Sequence, residues 1–272
     1  MKKRRSASSA VKKTYLALVL AFLYVPIVVM IALSFNASVS RAEWTGFTLN
    51  WYKKLLQRED IIAALEVTLE VAALATIAST VIGTLGAVGM HAMKKGWASL
   101  LTNVSYLPMT TPDIVTGVSL MLMFVFMKIP LGKGTMLMAH IAFDTPYVLF
   151  AVMPRLRQMN PNLYEAALDL GCHPLKALYK VILPEISPAI LSAFLICLTY
   201  SIDDFMISYF NCGTVETLPI AIYSMTRKKV SPEIYALSTI MFVVILCIIL
   251  FSNAMESRNY RRDQKALRGE GV

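Results

Sequence analysis

Charge is what this chain runs short of first. Only 16% of its 272 residues are Asp, Glu, Lys or Arg, while 57% are hydrophobic; soluble domains carry roughly 25% charged residues. The scarcity is patterned. Apolar blocks of about 20 residues alternate with short polar stretches, and ~20 helical residues are what crosses ~30 Å of hydrocarbon. A soluble globular class is excluded, and no stretch remains for a separate soluble domain. Cysteine stops at four (Cys172, Cys197, Cys212, Cys247), scattered without the spacing of a disulfide framework or a zinc site. Histidine stops at three, and His91 and His140 stand without partners at ligand spacing, so they read as packed or interface residues and no metal site is expected. A phosphate-cradling Gly-x-x-x-x-Gly-Lys-Ser/Thr loop is missing as well, so no cofactor, ATP and Mg included, is expected on this chain. The net charge of +9 does not point to nucleic acid, because the basic residues sit in tails and short loops against membrane lipid.

What is present reads as an all-α polytopic membrane protein with six transmembrane helices. The expected spans are 15–35, 71–93, 98–127 (broken near Pro108 and Pro112), 134–153, 186–210 and 234–255. The first uncharged run, 21 residues from Tyr15 to Phe35, exceeds the roughly 7–15 residues of a signal-peptide core and is expected to remain as a span. With the N-terminus inside, 17 of the 26 Lys and Arg fall on the cytosolic side, which sets both termini in the cytosol. The expected organisation is a basic cytosolic tail at 1–13, a membrane domain at 14–256 with a cytosolic loop at 155–185, and a cytosolic tail at 257–272. In the first outer loop, Trp51 with Leu55 and Tyr52 with Leu56 pair at helical spacing, suggesting a short interfacial helix.

The loop at 155–185 predicts two short helices joined by a bend. Asn160-Pro161 is a helix start, Gly171 sits at a C-cap, and Pro174 begins a second helix with Leu175, Leu178, Tyr179 and Ile182 on its apolar face. By itself such an elbow is either an amphipathic loop packed on its own spans or a knob offered to another protein. The run Glu165-Ala166-Ala167, then Gly171, then Val181, Leu183 and Pro184 resembles the signature loop of the inner-membrane permease subunits of binding-protein-dependent ABC importers, the type I (MetI-like) fold. Val181 replaces the more frequent Ile. The resemblance implies that the elbow inserts into a groove on a cytosolic ATPase.

Asp113, Asp203 and Asp204 stand inside the expected spans at depths where hydration is poor, and an Asp near a helix centre costs ~2.5–3.5 kcal/mol. Asp113 follows Thr110-Thr111-Pro112. Thr111 can cap and Pro112 can start a half-helix that stabilises the carboxylate in its first turn; alternatively the break is a cation site. Asp203 and Asp204 are adjacent, and on a continuous helix they diverge by about 100°. Asp204 then shares a polar stripe with Tyr200, Ser201 and Ser208. Either one Asp bonds a neighbouring helix or both line a passage, and a multivalent amine neutralises such a pair. Tyr147, Tyr200 and Tyr209 can offer ring faces to ammonium groups or pack as ordinary aromatics.

Pro112-Asp113-Ile114-Val115, Tyr200-Ser201-Ile202-Asp203-Asp204-Phe205, Leu218-Pro219-Ile220 and Val230-Ser231-Pro232-Glu233 together resemble the spermidine/putrescine permease subunits of that family. A substrate path over Asp113, Asp203, Asp204, Tyr200, Tyr147 and Tyr209 is what this implies. So are a homologous second permease making a heterodimer, a dimer of cytosolic ATPases carrying the ATP and Mg, an extracytoplasmic polyamine-binding protein, and a bacterial inner-membrane location. A stand-alone secondary cation carrier leaves the elbow unexplained. An intramembrane aspartyl protease needs its acids on facing helices. An importer of an inorganic anion or metal chelate would meet repulsion from three carboxylates.

Overall fold

The computed structural model describes residues 3–40, 42–160, 162–228 and 231–267. Its elements are α-helices joined by short turns: α1 (Lys3–Ser34), α2 (Asn50–Leu55), α3 (Glu59–Ala92), α4 (Lys95–Thr110), α5 (Asp113–Phe126), α6 (Lys133–Gln158), α7 (Asn162–Asp169), α8 (Pro174–Ala177), a π turn (Leu178–Ile182), α9 (Leu183–Asp203), α10 (Met206–Asn211), α11 (Leu218–Lys228) and α12 (Pro232–Leu267). Five helical stretches are long and apolar enough to cross a membrane: Val11–Ser34, Glu59–Ala92, Lys133–Gln158, Pro174–Asp203 and Pro232–Met255. A sixth span is reached when α4 and α5, bent by 106° at their break, count as one.

By internal contacts the chain divides into Met1–Ile62 with Ile222–Val243, and Ala63–Ala221 with Val244–Val272. In the first unit α2 forms as expected, and Trp51 and Leu55 are its buried side. The Trp51 indole N–H donates to the Asn36 carbonyl (2.7 Å) and Phe35 stacks on Phe47 and Tyr52, both at 5.3 Å. Arg58 reaches Asp60 and, at 3.3 Å, Glu233.

The second unit holds the packed helices. Lipid is as apolar as a leucine side chain, so helices in a membrane associate through close packing and small residues. On α3, Ala72, Ala75, Thr76, Ser79 and Ala87 are fully buried along one face. On the same face Gly83 leaves no room for a side chain: a Cβ there would stand 2.6 Å from that of Val148 on α6. Beyond it Val148, Val152 and Leu156 of α6 pack with Ile186, Ala193 and Cys197 of α9.

Two spans are broken, and both breaks have a chemical origin. Pro112 lacks an N–H and disfavours helical geometry in the residue before it. Thr111 (ψ 142°) and Pro112 (ψ 138°) are accordingly extended. Thr111 does not cap α5 as its position suggested. Its hydroxyl donates back to the Leu107 carbonyl (2.8 Å), and α5 has no side-chain cap. The fifth span, expected to be one helix over 186–210, stops at Asp203, turns through an extended Asp204 (ψ 125°) and restarts as α10.

On the elbow, Asn160 caps α7 through its side-chain oxygen, which accepts from Asn162 N–H (3.0 Å). Pro161, the other half of that expected start, lies outside the described residues. Gly171 takes φ +80°, a left-handed conformation other residues rarely accept. It closes a Schellman turn, with Gly171 N–H to Leu168 O (2.8 Å) and Cys172 N–H to Ala167 O (3.0 Å). The second elbow helix is not free-standing: α8, the π turn and α9 run on as a stretch of 30 residues. Pro184 cannot donate to the carbonyl of Lys180, and the widened turn lies just before it, with Leu183 N–H reaching Leu178 O. Pro188 leaves the carbonyl of Pro184 free in the same way, and the Ser187 hydroxyl fills in at 2.8 Å.

Candidate translocation site

Both breaks open onto one cavity of about 470 Å³, lined by Asp113, Phe143, Tyr147, Tyr200, Asp203, Asp204, Phe205 and Met206. Each wall has a local reason. Asp113 is the first residue of α5, where unpaired N–H groups favour a carboxylate. Phe143 and Tyr147 lie one turn apart on α6. Tyr200 and Asp203 are the last turn of α9, and Phe205 and Met206 lead into α10. The rings form a continuous edge, Tyr147 meeting Tyr200 edge-on at 4.9 Å and Phe143 tilted on Tyr147 at 5.3 Å.

α10 is held against α5 where Gly117 allows it. A Cβ at 117 would lie 3.1 Å from the Met206 carbonyl. The Asn211 amide donates to the Gly117 carbonyl at 3.1 Å, and the Thr135 hydroxyl of α6 donates to that of Asn211 at 2.9 Å.

The three acids differ in their surroundings. Asp113 and Asp203 are exposed to the cavity and have no hydrogen-bond or ion-pair partner among the described residues. Asp204 is committed: its oxygens accept from Ile207 N–H (3.1 Å) and Ser208 N–H (2.6 Å), and His140 Nε2 lies 3.4 Å away. His140 is buried, as a packed histidine should be, with Ser201 Oγ at 2.6 Å and Ser208 Oγ at 2.9 Å. One turn along α6, Asp144 is fully buried and neither of its oxygens has a hydrogen-bond partner. Among the described residues, no group of three potential ligands could hold a metal.

Residues 79–262 match the family described as the binding-protein-dependent transport system inner membrane component. The chain belongs to this family. It is an inner-membrane permease subunit of an ABC importer, not an enzyme. Among its relatives, the spermidine/putrescine transport system permease protein PotC of Haemophilus influenzae is 34% identical over 91% of this chain and 97% of that one. PotC of Escherichia coli K12 is 35% identical over 88% and 90%. The putrescine transport system permease protein PotI of the same strain is 36% identical over 91% and 92%. Among solved structures, a bacterial ABC transporter involved in the import of the acidic polysaccharide alginate matches with a TM-score of 0.72 at 19% identity, over 94% of this chain and 96% of that one. The MetNI methionine transporter matches at 0.59 and 15%, over 78% and 99%. These two show the permease fold alone.

Within the permease, five of the six residues singled out for the path, Asp113, Tyr147, Tyr200, Asp203 and Asp204, line the one cavity. Tyr209 does not; it tilts against Phe205 at 5.2 Å. The adjacent aspartates are separated by a break in the helix rather than by a 100° turn along it. Sequence reasoning passed over His140 and Asp144, and also Phe143 and Met206. The signal available for the first two was their spacing: His140, Asp144 and Tyr147 share one face of α6. On the elbow, Glu165, Ala166, Gly171 and Pro184 are exposed, Val181 and Leu183 are half-buried and Ala167 is buried.

Proposed function

We propose that this permease conducts polyamines, spermidine and putrescine, as one half of a heterodimeric channel. A related second permease forms the other half, an extracytoplasmic binding protein delivers the amine, and a separate pair of cytosolic ATPases holds the ATP and Mg. The cavity carries this reading. Two carboxylates without a partner among the described residues stand at a cavity in the span region, an arrangement that is costly until a cation arrives. The rings of Tyr147 and Tyr200 beside them offer faces to ammonium groups and methylene stems, worth about 0.5–2 kcal/mol each. Relatives named for spermidine and putrescine transport at 34–36% identity support the same cargo. An importer of the acidic polysaccharide alginate shares the fold, so in this reading the acids, not the fold, choose the sign of the cargo.

The elbow is the proposed contact with the ATPase. Besides Glu165, Ala166 and Gly171 it leaves Leu170, Leu175 and Tyr179 between 71% and 88% exposed, which suits burial against a partner outside the bilayer. ATP-driven closure of the ATPases then shifts α7 and α8, and the shift passes through the π turn into α9. With both termini cytosolic the cavity opens outward to the binding protein, takes the amine and reopens inward.

The test is uptake of labelled spermidine and putrescine by the assembled complex in liposomes, with and without ATP. Asp113→Asn combined with Asp203→Asn is expected to cut uptake efficiency at least ~10-fold, about 1.4 kcal/mol, with assembly intact. Unchanged uptake would sink the polyamine reading. Gly171→Val places a branched residue at positive φ, a cost of ~1–2 kcal/mol, and is expected to leave ATP hydrolysis running while uptake falls. Normal coupling there would remove the elbow from the mechanism.

A further inference from the structure

We infer that the two neighbouring aspartates divide the work: Asp203 meets the cargo, while Asp204, clamped by His140, holds the break in the fifth span that aims Asp203 into the cavity. The inference rests on the polyamine reading for its cargo. The clamp itself is a matter of geometry.

Asp204 accepts the N–H groups of Ile207 and Ser208, which are otherwise orphaned donors at the start of α10. Its oxygens therefore face protein donors, and its side chain is only 8% exposed. His140 reaches across the break in both directions. Nδ1 lies 2.6 Å from Ser201 Oγ at the end of α9, and Nε2 lies 2.9 Å from Ser208 Oγ on α10 and 3.4 Å from Asp204. With the proton on Nε2, the ring donates toward Ser208 and Asp204 and accepts the Ser201 hydroxyl. One imidazole on α6 thus fixes both sides of a step that has no proline to impose it. Asp203, between the two anchored serines, has no hydrogen-bond or ion-pair partner among the described residues. His140 touches no cargo in this arrangement. It is a positioning residue.

The experiment uses the assembled transporter and two readouts. Transport kinetics with spermidine come first. Asp203→Asn is expected to raise KM at least ~10-fold with little change in maximal rate. Asp204→Asn, which keeps a side-chain oxygen for the cap, is expected to hold KM within about threefold. Asp204→Ala and His140→Ala are expected to raise KM as Asp203→Asn does, with partial rescue by His140→Asn. The second readout needs no cargo. Asp203→Cys, in a background with Cys172 and Cys247 changed to Ser because they are the thiols that are not buried, is labelled by a membrane-impermeant thiol reagent. Adding His140→Ala, or the milder Ser208→Ala if the first does not assemble, is expected to slow labelling several-fold. Asp204→Asn raising KM as much as Asp203→Asn would overturn the division of labour. An unchanged labelling rate without His140 would overturn the clamp. Normal uptake by Asp203→Asn would overturn the role given to Asp203 and count against the polyamine reading, while the labelling arm still decides the clamp.

Discussion

The two broken spans that meet at the cavity are broken by different means. The α4–α5 break is written into the covalent backbone: Pro112 removes a donor and keeps Thr111 extended, and no side chain caps the helix that follows. The α9–α10 break contains no proline. It is held by Asp204 on two N–H groups and by His140 bridging from another helix. One kink belongs to its own segment and the other exists only in the packed protein. Each leaves at the cavity an acid with no partner among the described residues, Asp113 in one case and Asp203 in the other.

That contrast can be tested by attacking the two sides separately. The largest effect is expected where they touch. Gly117→Leu places atoms against the Met206 carbonyl and the Phe210 ring, an overpacking cost of roughly 1–3 kcal/mol. Thermal unfolding should shift down and uptake should fall more than ~10-fold; a variant that transports normally would mean that α5 and α10 do not need this close approach. Pro112→Ala restores a donor and frees Thr111 to turn helical. Uptake is expected to fall about 3–10-fold, and spin labels on α4 and α5 should report a bend smaller than 106°. An unaltered angle would show that tertiary packing, not proline, sets this break too. Ser208→Ala removes one of the two serines on His140, worth about 0.5–1.5 kcal/mol. A twofold to threefold rise in KM is expected, smaller than for Pro112→Ala. The smallest effect belongs to Asp144→Asn: the isosteric amide preserves packing at a residue whose side-chain oxygens have no hydrogen-bond partner among the described residues, and uptake should stay within about twofold.

The same contrast explains what could be read in advance. Spans, the proline break and the Gly171 turn are local consequences of residue type, and the sequence announces them. Asp113, Asp203 and Tyr200 could be picked out because polar groups are conspicuous in apolar runs. The kink at Asp204 could not, because Asp-Asp-Phe-Met carries no breaker, and a capping aspartate looks identical to a cargo-facing one until its N–H partners are known. His140 was correctly read as a packed residue, yet what it packs between lies 61 and 68 positions away. Tyr209 falls outside the cavity lining because the restart of α10 changes the face on which residues after 203 fall. The continuous helix from the elbow into the fifth span was hidden by Pro184 and Pro188, whose missing donors are absorbed by a π turn and by Ser187.

That unbroken rod of 30 residues from Pro174 to Asp203 is about 45 Å long at 1.5 Å per residue. Pivoted near its foot at Pro174, a lean of only about 5° would sweep its far tip by roughly 4 Å, about the breadth of a methylene chain. A nudge too slight to disturb the surrounding packing at the base is therefore enough to narrow or widen the throat at the other end.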